Sequence, residues 1–128
     1  MRRNSITLIV LIFTLIFINI TIADKDGLLM WVKQYNQHIG TDGWDICLDS
    51  KGEVFITGTL YENNGDIFLL KTDIDGNKIF SRSYGTENLD GGYDIAIDTQ
   101  GNIYITGETA GDLDGNINSG SDDVFLTN

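Results

Sequence analysis

The sequence predicts an all-β repeat protein, on three observations. Gly43-Trp44-Asp45-Ile46-Cys47-Leu48-Asp49 returns 49 residues later as Gly92-Tyr93-Asp94-Ile95-Ala96-Ile97-Asp98. Each copy runs on into a short turn and a second strand-like run, Glu53-Val54-Phe55-Ile56-Thr57-Gly58 and Asn102-Ile103-Tyr104-Ile105-Thr106-Gly107. Beyond the first 23 residues no helical periodicity is present. A fixed period of about 40–50 residues, made of short strands and Gly/Asp turns, is the signature of a β-propeller with one repeat per blade. The expected architecture is two four-stranded antiparallel blades of an incomplete ring, preceded by a hydrophobic signal segment.

In chain order, Arg2 and Arg3 precede an apolar run over residues 6–18, and small residues Thr21 and Ala23 stand before Asp24. A basic start, an apolar middle and a small-x-small ending describe a secretory signal peptide over residues 1–23. Left uncleaved, the 17 apolar-rich residues 6–22 would reach the lower limit for an N-terminal anchor. The remainder, residues 24–128, is expected to hold the two repeats, at about 28–79 and 80–128.

Residues 28–35 read as a strand, alternating Trp31, Lys33 and Tyr35 against Val32 and Gln34. The pattern returns as Phe80-Ser81-Arg82-Ser83-Tyr84, so the repeat reaches back beyond the opening stretch. Nine of 28 positions are identical between residues 31–58 and 80–107. After the strand over 44–48, Asp49-Ser50-Lys51-Gly52 supplies a turn with Asp first and Gly last, and Asp98-Thr99-Gln100-Gly101 repeats it. The following strand is expected to end at Gly58, and at Gly107 in the second copy. Asp66-Ile67-Phe68-Leu69-Leu70-Lys71 then has no polar alternation, which predicts a strand covered on both faces. Asp73-Ile74-Asp75-Gly76-Asn77 forms a turn into a fourth strand over 78–84. In the second copy Asp123-Val124-Phe125-Leu126 matches Asp66-Ile67-Phe68-Leu69 at an offset of 57, so eight extra residues lie in the loop within 108–121.

Composition removes several functions. The formal net charge is −11 at pH 7, and nucleic-acid binding needs clustered Lys/Arg, so nucleic acid is excluded as a partner. A membrane would be met only through the N-terminal segment, if it is not cleaved. Cys47 is the sole cysteine, which rules out an intramolecular disulfide and predicts a small buried residue, since no basic neighbour activates the thiol. His38, the sole histidine, lies in a polar loop without a second His or Cys to complete a metal site or triad.

The combination Tyr93-Asp94-Ile95-Ala96-Ile97-Asp98, Gly101-Asn102-Ile103-Tyr104-Ile105-Thr106-Gly107 and Gly111-Asp112-Leu113-Asp114-Gly115-Asn116-Ile117-Asn118-Ser119-Gly120, closed by Asp123-Val124-Phe125-Leu126, resembles the SBBP repeat, the seven-bladed beta-propeller repeat. The resemblance covers about residues 31–128. It implies a propeller fold in a secreted or cell-envelope setting, with no shared catalytic residues to carry over. Glu53 stands where that pattern prefers Asn, and the first copy has the shorter loop. Two repeats against the four to eight blades of a closed propeller predict a fragment or truncated member, or self-assembly of several chains to complete a ring.

Three groups could carry function. Asp112, Asp114, Asn116 and Asn118 place side-chain oxygens at alternate positions around Gly115, as calcium loops do, although the spacing is not that of an EF-hand; turn-forming Asx bonds use the same residues. Calcium is therefore the one candidate cofactor. Asp45, Asp49, Asp94 and Asp98 recur in both copies, which marks them as structural acids, because a catalytic pair is usually unique in a fold. Trp44 and Tyr93 occupy equivalent positions beside acidic loops and could form a platform for a protein or carbohydrate ligand. The expected function is a non-catalytic binding or scaffolding module outside the cytoplasm. The alternative is a piece of a propeller hydrolase or lyase whose active site lies in further blades.

Overall fold

The computed structural model describes residues 20–21, 31–35, 40–62 and 64–128. The chain divides into two units, residues 1–35 and 36–128. In the first, β1 (Ile20–Thr21) pairs antiparallel with β2 (Trp31–Val32), with Ile20 opposite Val32 and Thr21 opposite Trp31. The signal segment over 1–23 lies outside the described residues apart from Ile20 and Thr21, and so does His38. Of the strand expected over 28–35, the described part that forms a ladder is Trp31–Val32.

The second unit is all-β. β3 (Thr41–Leu48), β4 (Val54–Leu60), β5 (Asp66–Thr72) and β6 (Lys78–Tyr84) form a four-stranded antiparallel meander in chain order. β7 (Asp90–Ile97), β8 (Ile103–Thr109) and β9 (Asp123–Thr127) form a second meander. This corrects the expectation of two four-stranded blades. Among the described residues the second sheet has three strands, and its order ends on β9 where the first sheet continues to β6. No α-helix occurs among the described residues; Leu113–Gly115 forms a single 3-10 turn.

One turn design closes three hairpins. In each, an aspartate Oδ1 accepts the N–H groups two and four residues on: Asp49 from Lys51 and Glu53, Asp73 from Asp75 and Asn77, Asp98 from Gln100 and Asn102, at 2.7–3.0 Å. The fourth residue, Gly52, Gly76 or Gly101, has φ between 73° and 89°, where a side chain would be strained. The acid at the first position is therefore a structural acceptor, as duplication of Asp49 and Asp98 suggested.

The strands after these turns run further than expected. β4 continues through Gly58 to Leu60, and β8 through Gly107 to Thr109. Both glycines stand opposite a β-bulge, where the register of the facing strand shifts between Gly43 and Asp45 and between Gly92 and Asp94. A Cβ on Gly58 would lie 1.8 Å from the Asp42 carbonyl oxygen, and one on Gly107 1.8 Å from that of Gly91. These glycines allow close backbone approach at the bulge rather than ending the strand.

The two sheets pack face to face around one core. Phe55 and Ile67 of the first sheet meet Ile95, Ile105 and Phe125 of the second, with Cys47, Leu69, Phe80, Ile97 and Ile103 packed around them. Cys47, expected to be buried, is half-buried against this core; burial raises its thiol pKa, with Asp45 and Asp49 adding to the effect. Strand pleating sorts each sheet into two faces. The second sheet's leading face, toward the first sheet, carries Ile95, Ile97, Ile103, Ile105 and Phe125. The first sheet's trailing face, toward the second, carries Cys47, Phe55, Thr57, Ile67 and Leu69. β5 is covered as expected, with Ile67, Phe68 and Leu70 at 5% exposure or less.

The crossover from β6 to β7 is clamped to the β4–β5 loop. Asp90, fully buried, accepts the N–H of Thr86 at 2.5 Å and its hydroxyl at 2.9 Å. The Asp90 N–H donates to the Gly65 carbonyl at 3.0 Å, and the Asn64 amide donates to the Glu87 carbonyl at 2.8 Å. Nearby Asp66 has its carboxyl pKa raised by burial first, then by Asp90 and Glu62.

Candidate ligand-binding surface

Both bulges carry an aromatic residue. Trp44 is the extra residue in β3 and Tyr93 the extra residue in β7, and a bulge re-aims the side chain it inserts. Here the two rings meet across the junction of the sheets, edge to face, with centroids 6.0 Å apart and planes at 88°. This is a favoured aromatic geometry. Each ring also spends its polar atom on the neighbouring strand. Trp44 Nε1–H donates to Thr59 Oγ1 at 3.2 Å, and the Tyr93 hydroxyl donates to Glu108 Oε1.

Thr59 and Glu108 are repeat equivalents, 49 residues apart, so the copies build the same contact with different acceptors. Burial of Tyr93 pushes its hydroxyl pKa up to about 12, with the bond to Glu108, Tyr61 and Asp122 adding to the effect. Tyr61 is likewise raised, by burial and then by a bond to Asp42. Around the two rings therefore stand a third tyrosine and the carboxylates of Asp42, Glu108 and Asp122. Trp44 and Tyr93 stay 53% and 42% exposed, so the pair is open to a ligand while its orientation is fixed from below.

Beside it the repeated acids Asp45 and Asp94 share a hydrogen bond. The Ile95 N–H donates to Asp45 Oδ2 at 2.9 Å. That bond first, then the one from Asp94, holds Asp45 below the usual carboxylate range. The bond to Asp45 and its charge raise Asp94. Asp94 thus holds its proton more tightly than Asp45 does, and through the Ile95 N–H Asp45 ties β3 to β7.

The loop offered for calcium is tied internally. Asp112 Oδ1 accepts the Asn118 N–H at 2.8 Å, Asn118 Oδ1 accepts the Gly120 N–H at 2.9 Å, and Asn118 Nδ2 donates to the Thr109 carbonyl at 3.0 Å. The Asn116 N–H bonds to the Leu113 carbonyl at 3.0 Å, and Asp114 sits at φ 52° in the left-handed region. Two of the four oxygens proposed as ligands therefore hold backbone N–H groups. Among the described residues no group of three or more His, Cys, Asp or Glu is placed to hold a metal ion.

Sequence reasoning named Trp44 and Tyr93 but missed Thr59, Tyr61, Asp42 and Glu108. The offset of 49 that pairs the aromatics also pairs Thr59 with Glu108, a signal that was present and unused.

Residues 78–114 match the SBBP family model, a beta-propeller repeat. No curated protein matches the chain. The SBBP match opens on β6, crosses to the second sheet and runs through β7 and β8 into the 3-10 turn. The matched stretch is thus out of phase with the sheets: its first strand belongs to the first sheet. The strand pattern shared by residues 31–35 and 80–84 has the same phase.

Proposed function

We propose that this protein is a non-catalytic binding module of the beta-propeller repeat type, acting outside the cytoplasm, whose Trp44–Tyr93 surface takes a carbohydrate. The observation that carries this reading is the half-exposed aromatic pair held at 6.0 Å among carboxylates. Sugar rings offer apolar C–H faces that stack on such rings and hydroxyls that donate to carboxylates. The net charge of −11 disfavours anionic ligands. The leader-like start of the chain supports the extracytoplasmic setting.

The test is a glycan array, followed by calorimetric titration of the best binder against wild type and Trp44→Ala. Trp44→Ala should weaken binding by about tenfold or more, the equivalent of about 1.4 kcal/mol. An unchanged affinity, or an array without binders, overturns the carbohydrate reading. Binding of Lys/Arg-rich peptides by the same residues would reassign the site to a cationic peptide.

A further inference from the structure

Where the crossover into β7 meets the β4–β5 loop, two carboxyls from different sheets converge. Asp66 opens β5 of the first sheet and Asp90 opens β7 of the second. Gly85 stands beside both, and its bare face gives them room: a Cβ there would overlap Asp66 Oδ1 and stand 2.9 Å from Asp90 Oδ2. Asp66 is half-buried and Gly85 exposed, so the place opens to solvent. Asp90 behind them is 0% exposed.

Asp90 is only half satisfied. Its Oδ2 accepts the Thr86 N–H and hydroxyl, while its Oδ1 is buried and accepts no hydrogen bond from the described residues. A buried acceptor without a partner is costly. Protonation does not remove that cost, because a proton on Oδ1 turns an orphaned acceptor into an orphaned donor. A cation does remove it. The neighbouring charges do not supply one: burial first, then the charges of Asp90 and Glu62, raises the Asp66 carboxyl pKa, and both of those neighbours are acids. Nor does the repeat call for this charge. At the offset of 49, Asp90 corresponds to Thr41 and Gly85 to Asn36. The turn acids Asp49 and Asp98 are by contrast duplicated together with the hydrogen bonds they make. A carboxyl that one copy does without, and that the other buries half-partnered, is placed for a group outside the chain.

We propose that Asp66 and Asp90 hold a calcium ion that staples the first sheet to the second. The donors are oxygens alone and bring two negative charges, which suits a hard divalent cation. Asp90 supplies the buried oxygen that accepts nothing else and Asp66 a half-buried one. Water fills the remaining positions of an ion that takes roughly six to eight ligands. The site is separate from Asp112, Asp114, Asn116 and Asn118, which lie in the β8–β9 loop. With two carboxylates it belongs among the weak calcium sites, at a Kd of about 0.1–1 mM.

The test is thermal unfolding of the full 128-residue chain, followed by circular dichroism, first with a chelator and then with calcium or magnesium. At about 10 mM calcium the melting temperature should rise by about 5 °C or more. The same magnesium concentration should raise it clearly less, since magnesium sheds water reluctantly; it also controls for screening of the net charge of −11. Asp66→Asn and Gly85→Ala should both fold, because the half-buried Asp66 side chain can turn outward, and each should weaken calcium binding by about tenfold or more. Asp90→Asn keeps an acceptor for Thr86 and should lose the response; if it does not fold, Asp66→Asn carries the test. Asp112→Asn should respond as wild type does. In amide NMR spectra the calcium titration should move Gly65, Gly85, Thr86 and Asp90. No rise in melting temperature, a rise matched by magnesium, or a response that survives both Asp66→Asn and Gly85→Ala overturns the site. A response lost in Asp112→Asn moves calcium to the β8–β9 loop and overturns it equally.

Discussion

Ile46 and Ile95 are the same residue at the same place in two copies of one repeat, yet the first is 57% exposed and the second 5%. Ile67 and Val124 show the reverse, buried in the first sheet and 84% exposed in the second. Turn chemistry, bulge position and the threonine brace are by contrast the same in both. Thr57 Oγ1 donates to the Phe68 carbonyl at 2.9 Å, and Thr106 Oγ1 to the Phe125 carbonyl at 2.8 Å. What lies within a sheet is thus set by the repeat, and what lies between sheets depends on the neighbour. An apolar residue in this chain cannot be assigned to a core from its own copy alone.

The sharpest test of the shared part is a glycine substitution. Gly107→Ala drives a Cβ to 1.8 Å from a backbone oxygen, which backbone cannot yield to cheaply. We expect a loss of more than about 4 kcal/mol in denaturant unfolding, or no folded protein, and the same for Gly58→Ala. Gly101→Ala meets nothing within 4 Å and has to bear only its positive φ, at about 1–2 kcal/mol. Equal effects at Gly107 and Gly101 would remove the close-approach account of the bulge.

The part that differs between copies is tested by identical truncations. Ile95→Ala should cost about 2–5 kcal/mol, as a buried large-to-small change does. Ile46→Ala should cost less than about 1 kcal/mol. Similar losses at both sites would break the distinction drawn above.

A smaller effect is expected where the copies touch. A double-mutant cycle on Trp44→Ala and Tyr93→Ala should return a coupling of about 0.5–1.5 kcal/mol for the edge-to-face pair. Additive losses would show that the rings are neighbours without interacting.

The smallest effect concerns the neighbouring acids Asp45 and Asp94. Asp94 is raised in the folded state, so its stabilisation is present below the ordinary value of 3.8 and is lost as pH rises through the folded pKa. Asp45 is lowered, so its stabilisation is present above 3.8 and lost as pH falls through the folded pKa. Asp94→Asn keeps a donor for Asp45 and removes the repulsion at neutral pH. Its melting temperature at pH 7 should lie slightly above wild type, with a flatter pH profile just above 3.8. A lower melting temperature at pH 7 would contradict repulsion between the two acids.

Much of the fold was legible in single residues. The Asp-x-x-Gly turns were readable because both the acceptor and the positive φ are local demands that few residues meet. The run Ile67-Phe68-Leu69-Leu70 was readable because a strand with no polar side needs two covers. Gly58 and Gly107 were read as strand ends, since Gly weakens a strand and only the facing strand's bulge explains it. The bulge is a property of register, which exists once two strands pair. Trp44 and Tyr93 were named for their equivalence, while Thr59 and Glu108 gained meaning only when ring edges were seen to reach across to the next strand.

By itself the sequence determined the repeat, its hairpins and their turns, because hydrogen bonding and pleating act over a few neighbouring residues. The tertiary structure decided that Trp44 meets Tyr93, that Asp45 bonds the Ile95 N–H, and that one of two identical isoleucines is buried. Those outcomes come from stacking one sheet on another. Burial is a property of a surface and its partner, and a repeated sequence presents the same surface whether or not the partner is there.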